Sequence, residues 1–120
     1  MATLNTTLSI SSSNVASNNL SVSIADVLQV TNPIKGISRE TVATDADTEI
    51  VAASVSTHQY VYLKNVDSTN LIFVKTDGDV TYAQLHPQEA MFFCLRASVG
   101  LHLRANAQAC IVEFATFTKS

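Results

Sequence analysis

The sequence predicts an all-β protein, an antiparallel β-sandwich of the jelly-roll type with about seven to nine short strands. Three observations support this prediction. Clusters of Asn, Asp, Ser and Thr interrupt the chain roughly every 8 to 12 residues. Several segments between these clusters alternate apolar and polar residues. One pair of such segments is joined by a dipeptide that is typical of hairpin turns. A chain of 120 residues is also the usual size for one domain with one core.

The hairpin is the segment "LIFVKTDGDVTYAQL", residues 71–85. Residues 71–75 are apolar and β-branched, Asp77 and Gly78 form a dipeptide favoured in tight turns, and residues 80–85 lead back. Upstream, "QYVYLKN" alternates, so that Val61 and Leu63 face away from the tyrosines between them. These segments predict three consecutive strands.

Four further candidate strands lie between about residue 48 and residue 118: "EIVAASV", "AMFFCLR", "VGLHLRA" and "ACIVEFATF". With the three strands above, this region contains seven. In "VGLHLRA", Val99, Leu101 and Leu103 share one face, so His102 is expected to point away from the core.

The first 47 residues are rich in Ser, Thr and Asn and contain two weak alternating segments, "TLSIS" and "LSVSIADVLQV". Residues 24–28 have some helix propensity, but the Val and Ser content favours a strand. We expect an N-terminal arm at residues 1–19 and a single sandwich domain at residues 20–120, with a turn at Pro33 and Gly36. The alternative, that all of this region belongs to the sandwich, stays open.

Composition excludes several classes of function. Charged residues make up 14% of the chain and the net charge is -3, so no basic surface for nucleic acid is expected. No apolar run reaches the roughly 20 residues that a membrane helix needs, and the N-terminus lacks the pattern of a signal peptide. We expect Cys94 and Cys110 to be reduced and packed, although pairing stays open.

The segment "LHPQEAMFFCLR" puts His86, Glu89 and Cys94 within nine residues of sequence. His86 has no second histidine nearby, as a metal site on a strand would need, and it precedes Pro87 at an expected turn. Cys94 lies among large hydrophobic residues and not beside a base. We therefore expect no catalytic residue, no metal site, no cofactor and no enzymatic activity.

The strand after this turn is apolar on both faces, so it either lies between two layers or exposes one face to another subunit. The second reading gives a candidate subunit interface at Met91, Phe92, Phe93, Leu95, Tyr60 and Tyr62. It predicts a homo-oligomer, with a trimer favoured.

Residues 48–120 resemble small virion structural proteins of tailed, especially marine, bacteriophages. Three groups of residues carry the resemblance: Tyr62, Leu63, Lys64, Asn65, Asp67, Thr69 and Asn70; then Leu85, Pro87 and Glu89; then Ala109, Ile111, Val112, Glu113 and Phe114. The sequence departs from the family pattern at Gln88, where a glycine is usual, and this puts the turn type in doubt.

The resemblance implies a β-sandwich without catalytic residues, most simply a capsid decoration or cement protein that stabilises the head shell. It is expected on the capsid surface, made in the host cytoplasm, with the major capsid protein or other virion proteins as partners and neither nucleic acid nor membrane. The alternative is a tail or fibre module that binds a host glycan, with Tyr60 or Tyr82 exposed in a groove.

Overall fold

The computed structural model describes residues 2–13, 20–31 and 36–120, and every strand pair in them is antiparallel. The strands are β1 (Ala2–Ser12), β2 (Leu20–Val30), β3 (Ser38–Val42), β4 (Thr48–Val51), β5 (Gln59–Asn65), β6 (Ile72–Lys75), β7 (Thr81–Leu85), β8 (Ala90–Leu95), β9 (Leu101–Ala105) and β10 (Cys110–Thr118). The all-β prediction is confirmed, whereas the expected number of strands was too low. Within these ranges, no helix is both long and apolar enough to cross a bilayer.

The strands that the sequence did not indicate clearly are β1 and β3. Strand β3 reads "SRETV", and only Val42 in it is buried. It lies at the edge of its sheet, where one neighbour and one buried side chain suffice to hold it. A strand of this kind has no apolar alternation, so composition gives little signal for it.

Strands β1 and β2 form a two-stranded sheet of their own. They pair without a bulge over their full length, from Ala2 opposite Val30 to Ser12 opposite Leu20. Residues 2–12, expected as an arm, therefore form one strand of a long hairpin.

The chain forms two compact units, one of residues 1–34 together with Ser120 and one of residues 35–119, whereas the sequence suggested an arm that ends at residue 19. The hairpin pairing explains the difference, because β2 makes its backbone hydrogen bonds with β1. The turn expected at Pro33 and Gly36 lies largely outside the described residues, which resume at residue 36.

The second unit contains two four-stranded sheets, with strand orders β3-β10-β5-β8 and β4-β9-β6-β7. Both sheets contribute to one hydrophobic core, whose members are Val42, Val51, Val61, Leu63, Ile72, Val74, Leu85, Leu95, Leu101, Leu103, Ala105, Cys110 and Val112. The predicted alternation is confirmed here, since Val61 and Leu63 of β5 are fully buried and so are Leu101 and Leu103 of β9.

The predicted hairpin of β6 and β7 is confirmed. Its turn closes with hydrogen bonds from Thr76 N to Val80 O at 2.9 Å and from Asp79 N to Thr76 O at 3.2 Å. Asp79 has a positive φ of 64°, so the left-handed residue of the turn is the aspartate that follows Gly78.

Candidate functional site

Strand β8 lies at the edge of its sheet opposite to β3 and exposes one of its two faces. Met91 and Phe93 pack against the core and Leu95 belongs to it, whereas Phe92 and Cys94 point outward and are exposed. Cys94 is a free, exposed thiol and not the packed one that the sequence suggested, while Cys110 is free and buried.

The candidate interface therefore splits into an inner and an outer set. Tyr60 and Tyr62 of β5 lie opposite Cys94 and Phe92 of β8, so these residues share the outer face. The rings of Tyr60 and Phe92 stack with their centroids 6.1 Å apart and an interplanar angle of 14°. Phe92 is 42% exposed but Tyr60 only 7%, so Phe92 is the main aromatic contact that this face offers.

Beside the aromatic pair, Tyr62 belongs to a hydrogen-bonded network with β10 and β3. The Tyr62 hydroxyl donates to Glu113 Oε1 at 2.9 Å, and Arg39 Nη2 donates to Glu113 Oε2 at 3.0 Å. The bonds from Tyr62 and Arg39 lower the pKa of the Glu113 carboxyl, while burial and the bond to Glu113 raise the pKa of the Tyr62 phenol. Both groups keep fixed charge states near neutral pH, which suits a structural role.

The turn at residues 86–89 is structural as well. Glu89 Oε1 accepts a hydrogen bond from His86 N at 2.8 Å and lies 3.0 Å from His86 Nδ1. The backbone bond from His86 lowers the pKa of Glu89. Among the described residues, His86, Glu89 and Cys94 do not converge on a common point where a metal ion could bind.

A pocket of about 290 Å³ opens at one end of strands β5 and β8. It is lined by His58, Gln59, Tyr60, Cys94, Leu95, Arg96 and Lys119. Several basic side chains and one aromatic ring thus surround a space large enough for a small polar ligand. Tyr82, the other aromatic residue considered for ligand binding, is 47% exposed on β7 in the other sheet.

The N-terminal hairpin of β1 and β2 is amphipathic, which the sequence indicated only weakly. Its register places apolar residues of both strands on one face, in the cross-strand pairs Leu4 with Leu28, Leu8 with Ile24 and Ile10 with Val22. The opposite face carries mainly Ser, Thr, Asn and Gln. We call the first of these the apolar hairpin face.

Much of the apolar hairpin face is open to solvent. Leu8, Ile10, Leu20 and Ile24 are 52%, 46%, 47% and 47% exposed, respectively. Isolated large hydrophobic side chains on a surface are ordinary, but a row of them on one face of a two-stranded sheet is typical of surfaces that bind a partner. Each strand alternates only weakly in sequence, and the pairing of β1 with β2 brings their apolar residues together in this row.

Comparisons with known proteins give no match: no family model, no curated protein and no solved structure is similar to this chain.

Proposed function

We propose that this protein is a non-enzymatic structural protein of a bacteriophage virion, a decoration or cement protein that binds and stabilises the head shell. It would act on the capsid surface after synthesis in the host cytoplasm. The observation that carries the proposal is the apolar hairpin face, with four large aliphatic side chains about half exposed. The resemblance of residues 48–120 to small phage virion proteins supports it independently.

The hairpin is the element that most needs a partner. An isolated two-stranded sheet is marginally stable in water, and β1 and β2 pair only with each other among the described strands. The two strands contain a single charged residue, Asp26. Asp26 lies opposite Thr6 in the middle of the apolar hairpin face, between the aliphatic pairs. A mainly apolar surface with one acidic group suits another protein surface, such as that of the major capsid protein, and does not suit nucleic acid.

The order of strands in the second unit supports the finer assignment of a jelly-roll sandwich. Strands β3, β5, β8 and β10 belong to one sheet, and β4, β6, β7 and β9 to the other. The chain thus changes sheet at nearly every connection, as in the double-sheet jelly roll. This fold occurs in viral capsid proteins and in lectins, so it fits both the leading proposal and its alternative.

The proposal includes a homo-oligomer, with a trimer favoured, that forms through the outer face of β8. Phe92 is its central contact because it combines an aromatic ring with 42% exposure at a sheet edge. Light scattering coupled to size exclusion tests this directly. We expect a trimer that Phe92→Ser converts to a monomer; a wild-type protein that is monomeric at all concentrations would contradict it.

Binding to shells tests the leading proposal. Purified shells with and without the protein are heated, and the temperature of DNA release is measured. We expect the protein to raise this temperature and the double variant Leu8→Ser/Ile24→Ser to bind poorly. Loss of two half-exposed aliphatic side chains removes about 2 kcal/mol of binding free energy, which is about a thirtyfold loss of affinity.

Val27→Ser is the matched control. Val27 is 66% exposed and lies opposite Asn5 on the polar face of the same hairpin, so its replacement removes a similar apolar side chain from the other side. This variant should bind shells as the wild type does. The proposal fails if the wild type does not associate with particles, or if the variants of the two faces bind equally well.

The alternative, a tail or fibre module that binds a host glycan, is favoured by the pocket beside Tyr60. The pocket has room for a sugar, its exposed surface is mainly apolar with the ring of Tyr60 in it, and Arg96 and Lys119 at its wall could bind an acidic group. A glycan array with the wild type and with Arg96→Ala tests it. Hits that disappear in the variant would support glycan binding, and an array without hits would exclude it.

A further inference from the structure

Charged side chains gather on the outer face of the second sheet, around His102. Register places Glu49 of β4 and Lys75 of β6 opposite His102 of β9, one on each side. Asp47 lies just before β4, and Asp77 lies in the turn that follows β6. These side chains come from segments far apart in sequence, and the sheet brings them together.

The imidazole of His102 lacks the hydrogen bonds that its burial demands. Both ring nitrogens are inaccessible to solvent and neither has a hydrogen-bond partner, while the side chain as a whole is 13% exposed. Nε2 lies 3.3 Å from Asp77 Oδ1 and 3.5 Å from Glu49 Oε2. Buried polar atoms are normally paired, so this ring, with two carboxylates close to one nitrogen, is missing a partner.

The charges around the ring do not balance. Its charged neighbourhood consists of four carboxylates and two basic side chains: Asp47, Glu49, Asp77, Asp79, Lys75 and Arg104. Lys75 pairs with Asp47 and Asp79, and Arg104 lies 2.8 Å from Asp47. Glu49 and Asp77 have no Lys or Arg partner within the described ranges. His102 is therefore the only basic side chain near these two carboxylates among the described residues.

We propose that Glu49, Asp77 and His102 bind one divalent transition-metal ion, with Zn²⁺ as the reference ion. The two distances from Nε2 agree with the separation of about 3.4 Å between neighbouring ligands in a tetrahedral site with bonds of about 2.0–2.1 Å. The two carboxylate oxygens lie within 4.8 Å of each other. One imidazole and two carboxylates suit Zn²⁺ better than Ca²⁺ or Mg²⁺, which prefer oxygen ligands alone.

Asp47 occupies the position of an orienting group behind the ligand. Its Oδ2 lies 3.7 Å from His102 Nδ1, on the side of the ring away from the proposed ion. Histidines that bind metal commonly donate from their second nitrogen to a carboxylate. At 3.7 Å the contact with Asp47 is longer than a hydrogen bond, so Asp47 is a nearby negative charge on that side of the ring.

The ion would act as a structural clamp. It would join edge strand β4, through Glu49, to β9 and to the turn after β6, in addition to the backbone pairing and the ion pairs of Asp47 with Lys75 and Arg104. Binding of a ligand to the folded state alone stabilises that state, so Zn²⁺ should raise the unfolding temperature and a chelator should reverse the effect.

Calorimetric titration of the full chain with Zn²⁺ tests the proposal. All proteins carry Cys94→Ser, because the exposed thiol of Cys94 is itself a possible zinc ligand. We expect one ion per chain, at least about tenfold weaker binding in Glu49→Gln, and no measurable binding in His102→Gln. Glu49 is exposed on an edge strand, so its variant should fold even if the His102 variant does not.

His86→Gln is the matched control, since His86 is an exposed histidine that also lies beside a carboxylate, that of Glu89. Binding and thermal stabilisation by Zn²⁺ should be unchanged in it. Absence of binding to the parent protein would overturn the proposal. So would binding of equal affinity in Glu49→Gln and the parent, or weakening by His86→Gln as large as that by Glu49→Gln.

Discussion

Asn65 shows how one buried polar residue organises two loops. Its side chain is fully buried, Nδ2 donates to the carbonyl oxygens of Asn70 at 2.8 Å and Leu85 at 3.1 Å, and Oδ1 accepts from Asp67 N at 3.0 Å. The carboxylate of Asp67 in turn accepts from the backbone of Thr69 and Asn70. The side chains of Asn65 and Asp67 thus bind the protein's own backbone, which is a structural role.

Replacement of Asn65 by alanine should destabilise the protein by about 3 kcal/mol or more, because three hydrogen bonds are lost and buried backbone groups remain unpaired. Urea denaturation measures the change. Asn106→Ala is the control, since Asn106 accepts one hydrogen bond from Leu71 N in an exposed position and should lose only about 1 kcal/mol. Equal losses in the two variants would contradict the organising role of Asn65.

Gln88 resolves the doubt about the turn at residues 86–89. Its φ is 67°, in the left-handed region that glycine adopts freely, and it follows Pro87 as the third residue of the turn. Its side chain offsets the conformational cost, because Nε2 donates to the carbonyl oxygens of Val66 at 2.9 Å and Asp67 at 3.2 Å. The same turn geometry that glycine would permit is here held by an amide side chain.

Two substitutions separate these effects at Gln88. Gln88→Ala keeps the strain of the left-handed backbone and loses both side-chain hydrogen bonds. It should therefore lower the free energy of unfolding by about 1–2 kcal/mol relative to the wild type. Glycine loses the bonds but also the strain, so Gln88→Gly should be more stable than Gln88→Ala by about 1 kcal/mol. Thermal unfolding of both variants and the wild type provides the comparison, and an alanine variant as stable as the glycine variant would refute the interpretation.

Packing between turns determines how the strands of the second unit meet. Gly100, just before β9, has a φ of +79°, and a Cβ there would lie 3.0 Å from Asp77 Cβ and 3.2 Å from Ala53 N. Asp77 N also donates to Val99 O at 3.3 Å. The absence of a side chain at Gly100 thus lets the turn after β6 approach β9, which is also how Asp77 comes close to His102.

Gly100→Ala should therefore destabilise the protein by more than about 1 kcal/mol, through both strain and displacement of the turn. Gly78→Ala is the control, because a Cβ at Gly78 would meet only Thr76 Oγ1 at an ordinary 3.8 Å and its φ is not positive. Differential scanning calorimetry of the two variants measures the difference. A Gly100 variant that is as stable as the Gly78 variant would show that this close approach is unimportant.

Across the whole molecule, carboxylates paired in the folded state make stability depend on pH. Folding lowers the pKa of four carboxyl groups. Lys75 and Arg104 outweigh burial at Asp47, and backbone amides donate to Asp67. The backbone amide and ring of His86 lower the pKa of Glu89, and the Tyr62 hydroxyl and Arg39 lower that of Glu113. A lowered pKa contributes stability above the unfolded value, here 3.8 for Asp and 4.5 for Glu, and this stability is lost as the pH falls through the folded value.

These four carboxylates should therefore contribute equally to the urea midpoint at pH 6 and pH 7. Below about pH 4.5 the urea midpoint should fall progressively as they take up protons. Asp67→Asn should reduce the loss between pH 5 and pH 3, because its carboxylate no longer takes up a proton. Urea midpoints across this range test the sign. Stability that rises on acidification would contradict it.

Periodicity and turn chemistry were sufficient for part of the fold. Val61, Leu63, Leu101 and Leu103 alternate with polar or aromatic residues, and Asp77 with Gly78 marks a hairpin, because these signals depend on neighbours in sequence. The edge strand "SRETV" gave no such signal. In β1, Leu8 and Ile10 gave only a weak signal for a strand, and the apolar face became visible only when they paired with Ile24 and Val22.

The sequence by itself determined the all-β class, the alternation that buries one face of each central strand, and the structural character of the turn at Pro87, since these follow from local periodicity and backbone preferences. Only the tertiary structure decided that residues 2–12 join a hairpin, that Phe92 and not Tyr60 is exposed, and that Glu49, Asp77 and His102 meet. The physical reason is that strand register, which the local pattern leaves free, determines which distant side chains become neighbours.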